Sequence, residues 1–367
     1  MTIPKTPLIL SRSYHLTSCK INVFREKGEE SMKKVLVISL VFALVASSML
    51  WAGGASEKGA NSGVIELKLG LNDPNTSNYY KGAMAIAENV AKETNGRIKI
   101  TVFPSGGLGN EREMVEGAMM NTVDIWTSAN SVLTNFIPQM GLLDVAFLWD
   151  NADQAHAAVD GELGALISQE IDKQLGLKVI GWMESGFRDT FSTRPVKTLA
   201  DFRGLKIRTM ENQYHMAAFN SFGAIATPMA YGDVFPALQQ NTIDAAENAV
   251  ANCLASGYYE VTKHITDTHH AFVYILVGMS PKAWEKIPED LREPFLRGVE
   301  NGCNQQRQFL VEANEEATVE LKKLGVQFYN IDRTQLQSAY AADKAKALAS
   351  FDPNWVALAQ KAIEQHK

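Results

Sequence analysis

The chain has 367 residues, 46% of them hydrophobic and 21% charged, and a formal net charge of −6. That length and apolar content suit a globular protein with cores for two domains, and the acidic balance argues against nucleic-acid binding, which needs a basic footprint. Three cysteines, Cys19, Cys253 and Cys303, are too few for a disulfide framework.

From Met32 the sequence "MKKVLVISLVFALVASSMLWAGGASEKGA" opens with Lys33 and Lys34, followed by an apolar run to about residue 51 and small residues at 52–55. This is the layout of a secretory signal peptide. A permanent anchor is the rival reading, but a polar spacer follows rather than stop-transfer charges. Residues 32–55 are therefore expected to be removed on export to the periplasm. Residues 1–31 lack the pattern and are expected to be a mis-assigned extension, with Met32 the true start. Residues 1–55 hold seven Lys/Arg and three Asp/Glu, so the remainder carries 28 and 38, a net of −10. So acidic a protein binds an anion only through a local cationic pocket.

"IELKLGLN" (65–72) alternates as a strand does, and "NYYKGAMAIAENVAKETNG" follows with helical spacing, stopping at Asn95-Gly96. "RIKITVFP" reads as a strand, "NEREMVEGAMMNT" as a helix and "VDIWTSA" as a third strand. Helix and strand keep alternating: "DQAHAAVDGELGALISQEIDKQLG", "LKVIGWMES", "TFSTR", "GLKIRTM", "NQYHMAAFNSFG", "AIATPM", "YGDVFPALQQN", "TIDAAENA". The alternation predicts α/β layering with largely parallel sheets. Residues 288–325 then form a nearly continuous helical pattern interrupted only by Pro294. It reads equally as a surface or coiled-coil helix and as one that braces two domains. Cys253 and Cys303 are read either as one bridge or as two buried thiols.

Gly107-Leu108-Gly109, between a strand and a helix, resembles a phosphate loop. The dinucleotide fingerprint requires a third glycine where Arg112 stands, and Glu111 and Glu113 would repel a pyrophosphate. A P-loop fails for want of Gly-Lys-Ser/Thr. His264, His269 and His270 lead into the strand "HHAFVYILV", where adjacent side chains point to opposite faces, so no metal site is expected. No G-x-S-x-G elbow is present, and Cys253 and Cys303 have no arranged partner. No cofactor is expected.

Two arginines remain. Arg208 closes "GLKIR" just before a helix, and ligands of open α/β sheets bind outside the carboxyl ends of strands. Its planar fork suits a carboxylate. Arg188, in "SGFRDTF", lies where one α/β stretch passes to the next, a cleft position. Asn248, in "IDAAENA", follows a strand and is either a polar ligand contact or a helix cap.

"LADFRGLKIRTMEN", "FGAIATPMAYGDVFPALQQNTIDAAENAV", "LGLKVIGWMESGFRDTFSTRPVKTLADFRGLKIR" and "KAWEKIPEDLREPF" resemble the extracytoplasmic solute-binding proteins of TRAP transporters, the DctP type, over roughly residues 65–360. The resemblance implies an α/β, two-lobed periplasmic-binding-protein-like fold, with mixed sheets in each lobe and a long bracing helix near the C-terminus. It suggests a first lobe of 64–186 plus 274–313 and a second of 187–273 plus 314–367. It implies a monomeric receptor, not an enzyme, that closes on a small organic acid and passes it to the small and large TRAP membrane subunits. By motif, Arg208 matches the carboxylate clamp and Arg188 a second cleft arginine. Asn248, Tyr231 and Asn72 match ligand-contacting positions, and Asn212, Asn110, Glu184 and Asn130 join them as candidates. Ser128, Trp126 and Trp182 are weighed for the specificity side, both tryptophans with core packing as the alternative. The sialic-acid branch has "ESAR" where this chain has "ANSV", with Ala129 and Val132, which argues against that ligand. C4-dicarboxylates, sugar acids, 2-oxo acids and amino-acid-like compounds stay open. The competing classes are a binding protein for an ATP-driven importer and an exported α/β enzyme.

Overall fold

The computed structural model describes residues 63–367; the expected extension 1–31 and signal segment 32–55 lie outside the described residues. The first sheet contains β1 (Ile65–Gly70), β2 (Ile98–Phe103), β3 (Ile125–Ala129) and β4 (Lys178–Phe187). The second contains β5 (Asp189–Ser192), β6 (Lys206–Thr209), β7 (Ile225–Pro228), β8 (Ala245–Asn248) and β9 (His264–Asp267). The chain then returns to the first sheet as β10 (Phe272–Met279) and to the second as β11 (Gln327–Asn330). The strand orders are β2-β1-β3-β10-β4 and β11-β9-β5-β8-β6-β7.

The expected parallel pairing is found where a helix separates consecutive strands, as in β1 with β2 and β6 with β7. It gives way at the two crossings between sheets, because β10 runs antiparallel to β3 and β4, and β5 antiparallel to β8 and β9. Both sheets are therefore mixed. The crossings run side by side, β4 into β5 through Arg188 and β9 into β10 through 268–271, joined by Arg188 N–H donating to Ala271 O at 2.9 Å.

Two local expectations change. The single helix expected from 153 to 176 breaks at Gly161 into Ala152–Asp160 and Glu162–Leu175. A Cβ at Gly164 would lie 1.7 Å from the Val159 carbonyl oxygen, so the tight corner requires glycine there. The strand expected to begin at His269 starts at Phe272, because His269 takes a φ of 39° and turns toward Asp189 and Asp267.

The helix Glu289–Lys323 runs unbroken through Pro294 for 35 residues, about 52 Å at 1.5 Å per residue. Its first half enters the core of the first sheet through Phe295, Val299 and Cys303. Its last turns enter that of the second through Ala317 and Leu321. Of the two readings of this segment, the structure gives the brace. Gly298 and Gly302 sit one turn apart against the helix Asn78–Glu93, where a Cβ would lie 2.6 Å from Val90 Cα and 2.5 Å from Ile86 Cα. The two backbones thus meet directly, and the burial of Ile86, Val90, Phe295 and Val299 stabilises the contact by about 1.5–3 kcal/mol per side chain. Beyond β11, the helix Arg333–Ala349 packs on Gln213–Ser221, whereas Pro353–Gln365 packs on Ala152–Asp160 and Glu162–Leu175. The last helix therefore returns to elements of the first sequence half rather than staying with the second sheet. Cys253 and Cys303 are free and buried in separate cores. No described helix is long and apolar enough to cross a membrane.

Candidate functional site

The carboxyl ends of β1, β3, β6 and β8 meet the β4–β5 crossing at one cavity. Asn72 and Asp73 come from the end of β1, Glu111 from the first turn of the helix Glu111–Met119, and Arg208 and Met210 from the end of β6. Arg188 and Ser185 come from the crossing, Asn248 from β8, and Tyr231 and Asn252 from the loop and helix beside it. The cavity is tight, with about 30 Å³ open to the centre of a water molecule. An adjoining space shares Asn72, Glu111, Arg208 and Tyr231 and adds Asn110.

The two arginines differ in what they have left to give. Arg188 donates through Nη2 to Glu247 Oε1 at 3.0 Å and to the Glu247 carbonyl at 2.6 Å, and its Nε also bonds the Glu247 carboxylate. Its Nη1 donates to Asn248 Oδ1 at 2.7 Å and Ser185 Oγ at 3.2 Å. Burial works against its charge, but Glu247 outweighs burial and holds the guanidinium above its ordinary value. Glu247 is in turn held well below the usual carboxylate range: burial raises it, and Arg188, His270 and His215 overcome burial. His270 Nε2 lies 3.2 Å from Glu247 Oε2, and His215 Nδ1 lies 3.9 Å from it.

Arg208 donates through Nε and Nη2 to Met229 O at 2.9 and 2.6 Å. Its Nη1 is 4.0 Å from Glu247 Oε1, beyond hydrogen-bond range, and burial pushes the guanidinium down. Only 4% of the side chain is exposed. Arg188 is spent on Glu247, and Arg208 is a buried cation with a free donor edge in the cavity.

The same cavity is lined by two carboxyls that sequence reasoning passes over as ligand contacts, Asp73 and Glu111. Asp73 is pushed up to about 7, first by burial and then by Glu111, with Tyr231 and Arg188 partly offsetting them. Glu111 is also raised by burial, although Ala129 N–H donates to its Oε1 at 2.7 Å. Their signals are adjacency to Asn72 at a strand end for Asp73, and an acid at a helix start for Glu111, which sequence reasoning weighs only as repelling a pyrophosphate. Tyr79, Ser185, Met210 and Asn252 were also missed; Asn252, four residues after Asn248, donates to its Oδ1 at 3.0 Å.

Of the expected site residues, Arg208, Arg188, Asn248, Asn72 and Tyr231 line the cavity, and Asn110 lines the adjoining space. Asn110 also caps its helix, its Oδ1 accepting from Glu113 N at 3.0 Å, and Gly106 and Gly109 supply the left-handed turn before it, with φ of 68° and 103°. Glu184, Asn130 and Asn212 do not line the cavity. Glu184 lies on the opposite face of β4 from Ser185 and bonds His156. Asn130 and Asn212 donate to the buried Asp144 at 2.7 and 2.8 Å, where Ser131 and Thr134 also bond. Trp126 is fully buried in the core, Trp182 packs edge-on against Tyr274, and Ser128 is buried. His215, Glu247 and His270 converge as metal ligands could, as do Asp189, Asp267 and His269. Ion pairs with Arg188 and Arg333 occupy a carboxylate in each group.

Two α/β lobes joined by crossing strands and a bracing helix, with a buried guanidinium facing a cavity at the strand ends, define a two-lobed solute-binding protein. Residues 69–352 match the model of the bacterial extracellular solute-binding protein family 7, DctP, and the chain belongs to that family, the solute-binding proteins of TRAP transporters. It is a binding protein, not an enzyme. It is 30% identical over 297 residues to the 2,3-diketo-L-gulonate-binding periplasmic protein of Escherichia coli (strain K12), covering 80% of this chain and 90% of that one. It is 34% identical to a solute-binding protein of Verminephrobacter eiseniae, covering 77% and 85%. The crystal structure of a TRAP periplasmic solute-binding protein from Polaromonas sp. JS666, bound to D-erythronate, superposes with a TM-score of 0.77 at 32% identity, covering 81% of this chain and 98% of that one.

Proposed function

We propose that this protein captures a small organic acid in the interlobe cavity, holds its carboxylate on Arg208 and delivers it to the small and large membrane subunits of a TRAP transporter. The observation that carries this reading is the free Nη1 edge of Arg208, a desolvated cation whose other donors are fixed on Met229 O. Asn72, Asn248 and Tyr231 supply neutral polar contacts around it. The E. coli relative named for 2,3-diketo-L-gulonate and the Polaromonas structure with D-erythronate support an acid of the sugar-acid type. Family membership supports work outside the cytoplasm, and segment 32–55 supplies the signal that would take the protein there. Closure follows population-shift logic, the ligand touching both lobes only in the closed form. The test is titration calorimetry on ligand-stripped protein with a panel of sugar acids, 2-oxo acids and C4-dicarboxylates. Saturable binding of at least one acid at micromolar concentration or below is expected, and no heat from any acid at millimolar concentration refutes the reading.

A further inference from the structure

The charges around the cavity do not balance as a simple anion trap would. Arg188 and Glu247 neutralise one another through hydrogen bonds that use the Arg188 donors. That leaves Arg208 as the cavity-lining cation with a free edge among the described residues, and the same cavity is lined by Asp73 and Glu111. Glu111 gives one oxygen to Ala129 N–H, which leaves the other available to a ligand. Resting on the reading above, we propose that Asp73 and Glu111 are specificity-determining residues: they accept the hydroxyls of a polyhydroxylated monocarboxylate, turn away a dicarboxylate, and take up a proton as the anion enters.

Each part follows from the chemistry of the wall. An ionised carboxylate only accepts hydrogen bonds, and a ligand hydroxyl donates one. A second ligand carboxylate can only accept, so against Asp73 and Glu111 it meets like charge, and Arg112, which lines the adjoining space and not this cavity, has its guanidinium 5.6 Å from the centre of the Phe136 ring. One proton shared by the pair offsets the charge that the ligand's first carboxylate brings, and the acid that stays ionised still accepts from hydroxyls and repels a second carboxylate. The groups facing Asp73 are Glu111, Tyr231, Arg188, Tyr79 and Tyr258, and those facing Glu111 are Arg208, Arg188 and Glu211. The carboxyls among them favour protonation of the pair and the arginines oppose it, and burial tips Asp73 to about 7.

The test compares two four-carbon probes by calorimetry, erythronate with three hydroxyls and one carboxylate, and succinate with two carboxylates. Wild type is expected to prefer erythronate by at least 100-fold. In buffers of different ionisation heat at pH 7.5, it should take up a measurable fraction of a proton per ligand. Asp73→Asn and Glu111→Gln should each narrow the preference by about 10-fold, and both should abolish part of the proton uptake. Succinate binding as tightly as erythronate, or an unchanged preference in both folded variants, overturns this inference while leaving organic-acid binding intact. Failure of every acid in the wider panel overturns the functional reading and this inference together. If one variant fails to fold, the wild-type ratio and the other variant still decide.

Discussion

Replacing Arg208 with alanine separates ligand capture from folding, and the structure sets the size of each effect. The Nε and Nη2 donors lost from the protein serve one acceptor, the carbonyl of Met229, a residue partly exposed, so water can replace them. Glu247, 4.0 Å away, keeps its direct pairing with Arg188, so no buried charge is stranded. The folding cost is therefore that of an ordinary hydrogen bond, about 1 kcal/mol. The ligand loses much more. Removing one partner of a desolvated charge pair costs about 2–5 kcal/mol, and at about 1.4 kcal/mol per factor of ten this is roughly 30- to 3,000-fold in Kd. Calorimetry on Arg208→Ala should show at least about 100-fold weaker binding of the best acid in the panel, a range set by those same magnitudes. The melting temperature should stay near wild type. Arg208→Lys keeps the charge but not the fork and should fall in between. An Arg208→Ala protein that melts as wild type does and binds within about fivefold of it, far under the expected loss, refutes the clamp.

The other perturbations fall on parts of the frame with different physics. Arg188→Ala takes from the fully buried Glu247 its main counter-charge, leaving His270, His215 and the more distant Arg208, and should lower unfolding free energy by about 3–5 kcal/mol in denaturant titration. A variant as stable as wild type would show that His270, His215 and Arg208 suffice to hold the Glu247 charge. Gly302→Ala puts a Cβ about 2.5 Å from Ile86 Cα, and should cost about 1–3 kcal/mol by the same measurement. No loss would mean that the two helices can part without penalty. At the β9–β10 crossing, burial works against the His269 cation, but Asp189 and Asp267 carry its value up to about 9. Because that value lies above the ordinary 6.5, its contribution to stability is complete below about pH 6.5 and is lost as pH rises through about 9. Melting temperature should thus decline across that window in wild type and be flatter in His269→Gln. Parallel profiles would remove His269 from the cause.

Arg208 was legible because the rule used to find it concerns one strand: the residue ending a buried strand just before a helix faces the ligand side of an open sheet. Its neighbour in function was half legible. Nothing near Arg188 in sequence says that its donors are spent, since the partner is Glu247, 59 residues on. The antiparallel register that sets Asp189 opposite Asn248 brings them together. Glu184 failed for a finer reason. Side chains along β4 alternate between faces, so choosing Glu184 over Ser185 is a choice of face, and the pairing of β4 with β10 shifts register between Val273 and Tyr274. Asn130 and Asn212 follow strands, as ligand contacts do, but both are held by Asp144, 14 and 68 residues away.

These misses share a cause that also explains Asp73 and Glu111. A local pattern says which residue types reach a strand end, whereas the sign of a cavity depends on which charges have already met a partner. In this chain that pairing is made across the crossings and between the sheets. Sequence alone offered two arginines, which would suit two carboxylates. The fold cancels one of them with Glu247 and sets two acids in the cavity of the other. On the proposal made above, the cavity then suits a singly charged acid, and its ligand is set by the residue that neutralises Arg188 as much as by Arg208.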